Sequence, residues 1–370
     1  MKDSSISGAS GTAPKAGGRN GEVELLRFLL AAFVMLYHGN DLINAGGGFK
    51  IVHCGYLAVD VFFMLSGYLM MRSIARQGEG MPGMGTPRFL LHKIKAFFPE
   101  LAIATLLTCC VLFYACGITP QSCYCSFKSV FMDIFLLKMC NLVYPGGDAN
   151  GPVWYLSSMV LSMGLLYPLL KRYGVTSLLV GTAVCILAYI IVETGTMANP
   201  YKWMGFTYKG NLRAFADLTL GAAAFPAAQA LLRRNLPPVC RGLAACAKYA
   251  LLAFVFACIC FTGRYPGVFL IAAWLYLVLA FGGTTPDCAL FRNRLVLFLG
   301  RFSLPLYLSH RVYSLRMGGI LPGGWPPAAV WAAYICLGTA TALLVMFAAR
   351  RVREISGNRV FALDSRRDSK

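Results

Sequence analysis

Ten apolar stretches of roughly twenty residues follow one another along the chain. Their limits are about 23–42, 55–72, 97–117, 152–170, 175–192, 212–232, 245–262, 265–282, 298–318 and 328–349. A helix of about 20 residues, rising about 1.5 Å per residue, crosses a hydrocarbon layer of about 30 Å. These stretches have no place in a water-soluble fold. Hydrophobic residues make up 58% of the chain and charged ones 13%, against about 25% charged in a soluble domain. The expected fold is therefore all-α, a polytopic membrane helical bundle of about ten transmembrane helices. The composition excludes a disordered bulk, a collagenous chain and a nucleic-acid-binding domain. The ninth stretch fits least well, since it holds Arg301, Arg311 and Arg316. Residues 127–140 are apolar but short and include Lys128, Asp133 and Lys138. They read as an interfacial or re-entrant helix.

The formal charge is +19, and the loops account for it. With the N-terminus in the cytoplasm, 24 of the 34 Lys and Arg fall in inner segments and eight in outer ones. Basic residues accumulate in cytoplasmic loops, so both termini are expected to be cytoplasmic, and the charge requires no nucleic-acid partner. Residues 1–21, rich in Gly, Ser and Ala, read as a disordered cytoplasmic tail with no cleavable leader. Residues 22–350 form the integral membrane domain, and 351–370 a basic cytoplasmic tail. No internal repeat or pair of broken helices points to an inverted-repeat transporter.

An ionisable residue inside a span marks a functional site by default. Arg27 and His38 lie eleven residues apart on the first span. Eleven steps of about 100° come close to three turns, so both project from one face about 16 Å apart. A snorkelling Arg and an interfacial His are the bland alternative; the shared face favours a functional pair. Asp60, inside the second span, should sit at the depth of His38, where a carboxylate orients an imidazole for base catalysis. Its alternative is a helix cap. Arg213 and Asp217 are four apart on the sixth span, most simply a local salt bridge, with Arg213 left donors for an anionic or sugar ligand. Trp154, opening the fourth span, suits an aromatic belt or a sugar-stacking platform. His310 suits either a satisfied buried His or a site residue. His38, Asp60, Trp154, Arg213 and His310 all fall in the expected outer half, with Arg27 and the basic loop 72–95 in the inner half. With four His and none at ligand spacing to Cys or Asp, no metal site is expected.

These residues also carry a family likeness. ELLRFLLAAFVMLYH at 24–38 and GYLAVDVFFMLSGYL at 55–69 resemble the first two motifs of the acyltransferase-3 family of integral membrane acyltransferases. GPVWYLSSM at 151–159, NLRAFADLTLG at 211–221 and GRFSLPLYLSH at 300–310 resemble its later, looser motifs. The likeness runs over about 22–347. It implies about ten helices and transfer of an acyl group, usually acetyl, to sugar hydroxyls of surface or exported glycans and glycolipids. The donor would be acyl-CoA (acetyl-CoA) entering from the cytoplasm as a co-substrate, with no permanently bound cofactor. The location would be a cell membrane, the inner membrane of a bacterium. Arg27 and His38 would be the essential pair, with Asp60, Ser66 and Gly67 shaping the site. Ser66 also suits a packing contact between helices, or a covalent acyl carrier. The chain departs from the family pattern at Met159, where many members have Glu. It also departs at Lys93 and Lys95, which replace part of an arginine cluster and keep charge for CoA phosphates without a bidentate fork.

The rival reading is a transporter or flippase for a glycan or lipid-linked substrate, using the same buried charges as a path. A structural or sensory membrane protein is a third. Cys116, Cys123, Cys125 and Cys140 cluster near one expected outer loop, consistent equally with disulfides in an oxidising compartment and with chance.

Overall fold

A computed structural model describes residues 20–42, 50–77, 85–140, 150–234, 236–284, 288–321 and 323–367, with side chains to 357. Most of the expected tail at 1–21 lies outside these residues. The chain enters α1 (Gly21–Gly39) through an Asn20 cap, whose side chain accepts from the Glu22 N–H at 3.0 Å. Glu22 and Glu24 in the first turn complement the helix dipole. Then come α2 (Ala58–Gln77), α3 (Thr86–Cys116), α4 (Pro120–Ile134), α5 (Val153–Tyr173) and α6 (Ser177–Thr194). A two-residue-per-strand hairpin, β1 (Trp203–Met204) and β2 (Thr207–Tyr208), leads into α7 (Lys209–Arg233). The rest is α8 (Pro238–Phe261), α9 (Pro266–Phe281), α10 (Ala289–Arg292), α11 (Arg294–Ser309), α12 (Arg311–Ile320) and α13 (Pro327–Arg367).

The all-α bundle has seven helices long and apolar enough to cross a membrane among the described residues: Gly55–Gln77 with its leading turn, α3, α5, α6, α7, α8 and the Pro327–Gly357 part of α13. The other three expected spans differ in physical ways. α1 is 19 residues long but carries Glu22, Glu24 and Arg27. α9 is apolar but only 16 residues long. The ninth stretch is interrupted at His310, between α11 and α12. Over residues 351–367 the backbone continues α13 to Arg367. The short stretch 127–140 also resolves differently. α4 starts earlier, behind a Thr119–Ser122 capping box. The chain then turns at Leu136 (φ 57°), and Lys138 folds back onto Asp133 at 3.1 Å, both buried. The four loop cysteines are free thiols.

Two close approaches fix the core. A Cβ on Gly67 of α2 would lie 2.0 Å from the Leu218 carbonyl oxygen, and one on Gly221 of α7 would lie 1.8 Å from that of Met64. The two backbones touch, as small residues allow in membrane helices. Gly67→Ala or Gly221→Ala is therefore expected to lower the unfolding midpoint in detergent, an overpacking cost of about 1–3 kcal/mol. Gly164→Ala is the control, because its Cβ would meet only Leu90 Cδ1 at an ordinary 3.6 Å; equal midpoints in all three would refute the steric reading. The second approach joins α1 to α11, where Gly300 leaves room for the Glu24 side chain. Glu22 meets the Lys248 ammonium at 2.8 Å and accepts from the Tyr276 hydroxyl at 3.3 Å. Lys248, counted from sequence among loop charges, is thus wholly buried in α8. At the other end of α1, the Tyr334 hydroxyl of α13 donates to the Met35 carbonyl at 2.8 Å.

Candidate active site

His38 stands in the last turn of α1, half-buried, on a cavity of about 180 Å³. Tyr56, Trp154, Arg213, Tyr307 and Arg311 line the same cavity. No hydrogen bond from the described residues holds the His38 ring. It lies between rings instead: Tyr37 at 5.1 Å between centroids, and His310 at 5.3 Å with planes 24° apart.

The expected partnership of Asp60 with His38 does not form. Oδ1 of Asp60 accepts from Arg213 Nε at 3.0 Å and Nη2 at 2.7 Å, and Nη2 also donates to the Tyr56 carbonyl at 3.2 Å. A buried carboxylate is better matched by a charged guanidinium fork than by a neutral imidazole. The expected Arg213–Asp217 pair is absent for the same reason: the guanidinium reaches across from α7 to α2. Asp217, one turn along, is buried beside the pair, close enough to Asp60 for a carboxyl–carboxylate hydrogen bond. The guanidinium carbon lies 5.5 Å from the Trp154 ring centroid, a cation–π contact at the cavity wall. Trp154 is therefore packed on a cation inside the site rather than only set in a belt.

The lower part of the site is aromatic. The Tyr155 hydroxyl meets Ser66 Oγ at 3.2 Å, and its ring packs edge-on to Tyr307 at 5.7 Å. Tyr307 in turn lies 6.1 Å from His310. Arg27, half-buried, lies within electrostatic reach of Tyr155 and Lys93. Lys93 sits over the Phe89 ring at 5.7 Å. Rings and hydroxyls thus connect Arg27 at one end of α1 with His38 at the other. Lys95 is exposed on α3 and joins none of these contacts.

Of the residues singled out from sequence, His38, Trp154 and Arg213 share the cavity. Asp60 and His310 stand directly behind it, Arg27, Lys93 and Ser66 lie toward the opposite end of α1, and Lys95 stays apart. Tyr307 and Arg311 line the cavity without having been singled out. Their signal was position, one inside the LPLYLSH run and one directly after it. From sequence Arg311 is only a charge that fits the ninth stretch poorly, whereas here it pairs with Asp41 and donates to Ser314 Oγ at 3.0 Å. Among the described residues, no three His, Cys, Asp or Glu side chains come together as a metal site. A family model described as an acyltransferase domain matches residues 20–350. No curated protein and no solved structure matches the chain.

Proposed function

The chain belongs to the acyltransferase-3 family of membrane acyltransferases, and we propose that it moves an acyl group, acetyl above all, from cytoplasmic acyl-CoA to a hydroxyl of a surface or exported glycan or glycolipid. The observation that carries this reading is the meeting of His38 and Arg213 on one cavity. Acyl transfer requires a base to take the hydroxyl proton and a fixed positive charge where the carbonyl oxygen becomes an oxyanion. An imidazole and a guanidinium supply these.

The steps follow from the placement. Arg27 and Lys93 receive the CoA phosphates at the inner end of α1. The pantetheine arm runs along the helix face toward His38, about 16 Å away. His38 takes the acceptor's proton as its oxygen attacks the thioester carbonyl, and Arg213 faces the oxygen that gains charge. The tetrahedral adduct collapses, the C–S bond breaks, and His38 returns the proton to the departing thiolate. The products are an ester and free CoA thiol. Asp60 acts at one remove, by holding the guanidinium against the cavity. The cavity is small, about 180 Å³, which favours a short acyl group over a long chain. Trp154 offers its face to the sugar.

Purified protein in liposomes tests this. With acetyl-CoA and an acceptor glycan, free thiol should appear only when both are present, in step with new ester. Uptake of the glycan without acyl-CoA, and no thiol release, would sink this reading in favour of a transporter.

A further inference from the structure

His38 needs an orienting group, and Asp60 is committed elsewhere. Triad logic asks for a third residue that fixes the base and supports its charge. The group in place is His310. It is fully buried where α11 gives way to α12, and its Nδ1 is 3.0 Å from the Leu306 carbonyl oxygen. A carbonyl only accepts, so Nδ1 carries the hydrogen and Nε2 the lone pair. Nε2 is buried with no hydrogen-bond partner among the described residues, so a second proton there would face no acceptor among them, which favours the neutral ring. Its face is turned to His38 at 5.3 Å, nearly parallel.

We propose that His310 is a positioning residue for the transfer reaction, a neutral imidazole whose face fixes the plane of His38 and supports the positive charge His38 acquires with the acceptor's proton. A cation over an aromatic face is attracted to it, most strongly where water is excluded. No new bond is made: the proton passes from acceptor hydroxyl to His38 and on to the thiolate. The other charged or titratable groups near His38 are Tyr37 on its own helix, Asp41 after it, Tyr56 before α2, Tyr201 before β1, Arg213 on α7, Tyr307 on α11, Tyr334 on α13 and Arg311 on α12, whose guanidinium opposes a positive charge on His38 and makes a supporting ring face matter more. None of them stacks face-on; the Tyr37 ring is tilted by 59°. The proposal rests on the acyl-transfer reading above.

The test is kcat/KM for thiol release as a function of pH, in wild type, His310→Gln and His310→Phe. Gln keeps a polar group for Leu306 but removes the aromatic face; Phe keeps the face. His310→Gln should lower kcat/KM by about 10–100-fold with acyl-CoA binding unchanged. Less support for the imidazolium keeps His38 neutral further into acid, so the acid limb should move to lower pH by about half to one unit. His310→Phe should hold the limb closer to wild type. Should the Gln variant not purify as a single species, His310→Met replaces it. A limb that stays in place while the rate falls, or a wild-type rate in the Gln variant, would overturn the proposal and leave a packing role. Absence of acceptor-dependent thiol release by wild type would overturn the acyl-transfer reading and this inference with it.

Discussion

Alanine at position 38 is expected to lower acyl transfer by about 10²–10⁴-fold, the range a positioned general base contributes. The fold should survive. His38 is half-buried and makes no hydrogen bond within the described residues, so truncation leaves no orphaned partner, only the loss of two ring contacts. Acyl-CoA binding should also persist, because the proposed phosphate contacts are Arg27, about 16 Å down the helix, and Lys93 near it on α3. The measurement is ester content of surface glycans in cells carrying wild type or His38→Ala at matched membrane levels. Esters with wild type and none with the variant would identify both the base and the acceptor. Equal ester content in both would mean that His38 is not the base.

Asp60→Ala should be nearly as damaging, through the fold rather than the chemistry. It takes both Asp60 hydrogen bonds from the Arg213 guanidinium, which is 1% exposed at its side chain, and leaves it the Tyr56 carbonyl and the neighbouring Asp217 carboxyl. Removing one partner of a buried pair costs about 3–5 kcal/mol, whereas replacing both with apolar groups is often neutral. The double variant Asp60→Ala/Arg213→Met should therefore unfold closer to wild type than Asp60→Ala does. Thermal unfolding in detergent reads this directly. Additive losses in the double variant would show that the pair does not act as a unit. Activity should not return with the double variant, since the cation proposed to face the oxyanion is gone.

What the sequence made legible was local. Apolar stretches of membrane-crossing length announce themselves through composition, and most of those expected reappear as helices. The alignment of Arg27 with His38 needed only the helical repeat. What stayed hidden was distance across the bundle. The sequence pairs Asp60 with His38 across a short connection, whereas its partner lies 153 positions away. Nothing in either segment says which helix packs against α2. Only the glycine contacts at Gly67 and Gly221 settle it, and a glycine in a sequence does not name its neighbour. Likewise Lys248 and Glu22 are 226 positions apart, so Lys248 reads as a loop charge until α8 is laid beside α1. Depth within the bundle separated Lys93 from Lys95: adjacent in the charge pattern, they point one inward and one outward.

The contact between α2 and α7 also bears on motion. Two kinds of bond tie these helices at different heights, backbone against backbone at the glycines and guanidinium against carboxylate at Asp60. Sliding α7 by one turn, about 5.4 Å, would bring the Leu218 carbonyl against Phe63 or Met71 instead of Gly67, and would pull Arg213 from its carboxylate. The interface has a single register. It behaves as a keel, and whatever opening admits substrate and releases product must be accommodated by other helices moving against it.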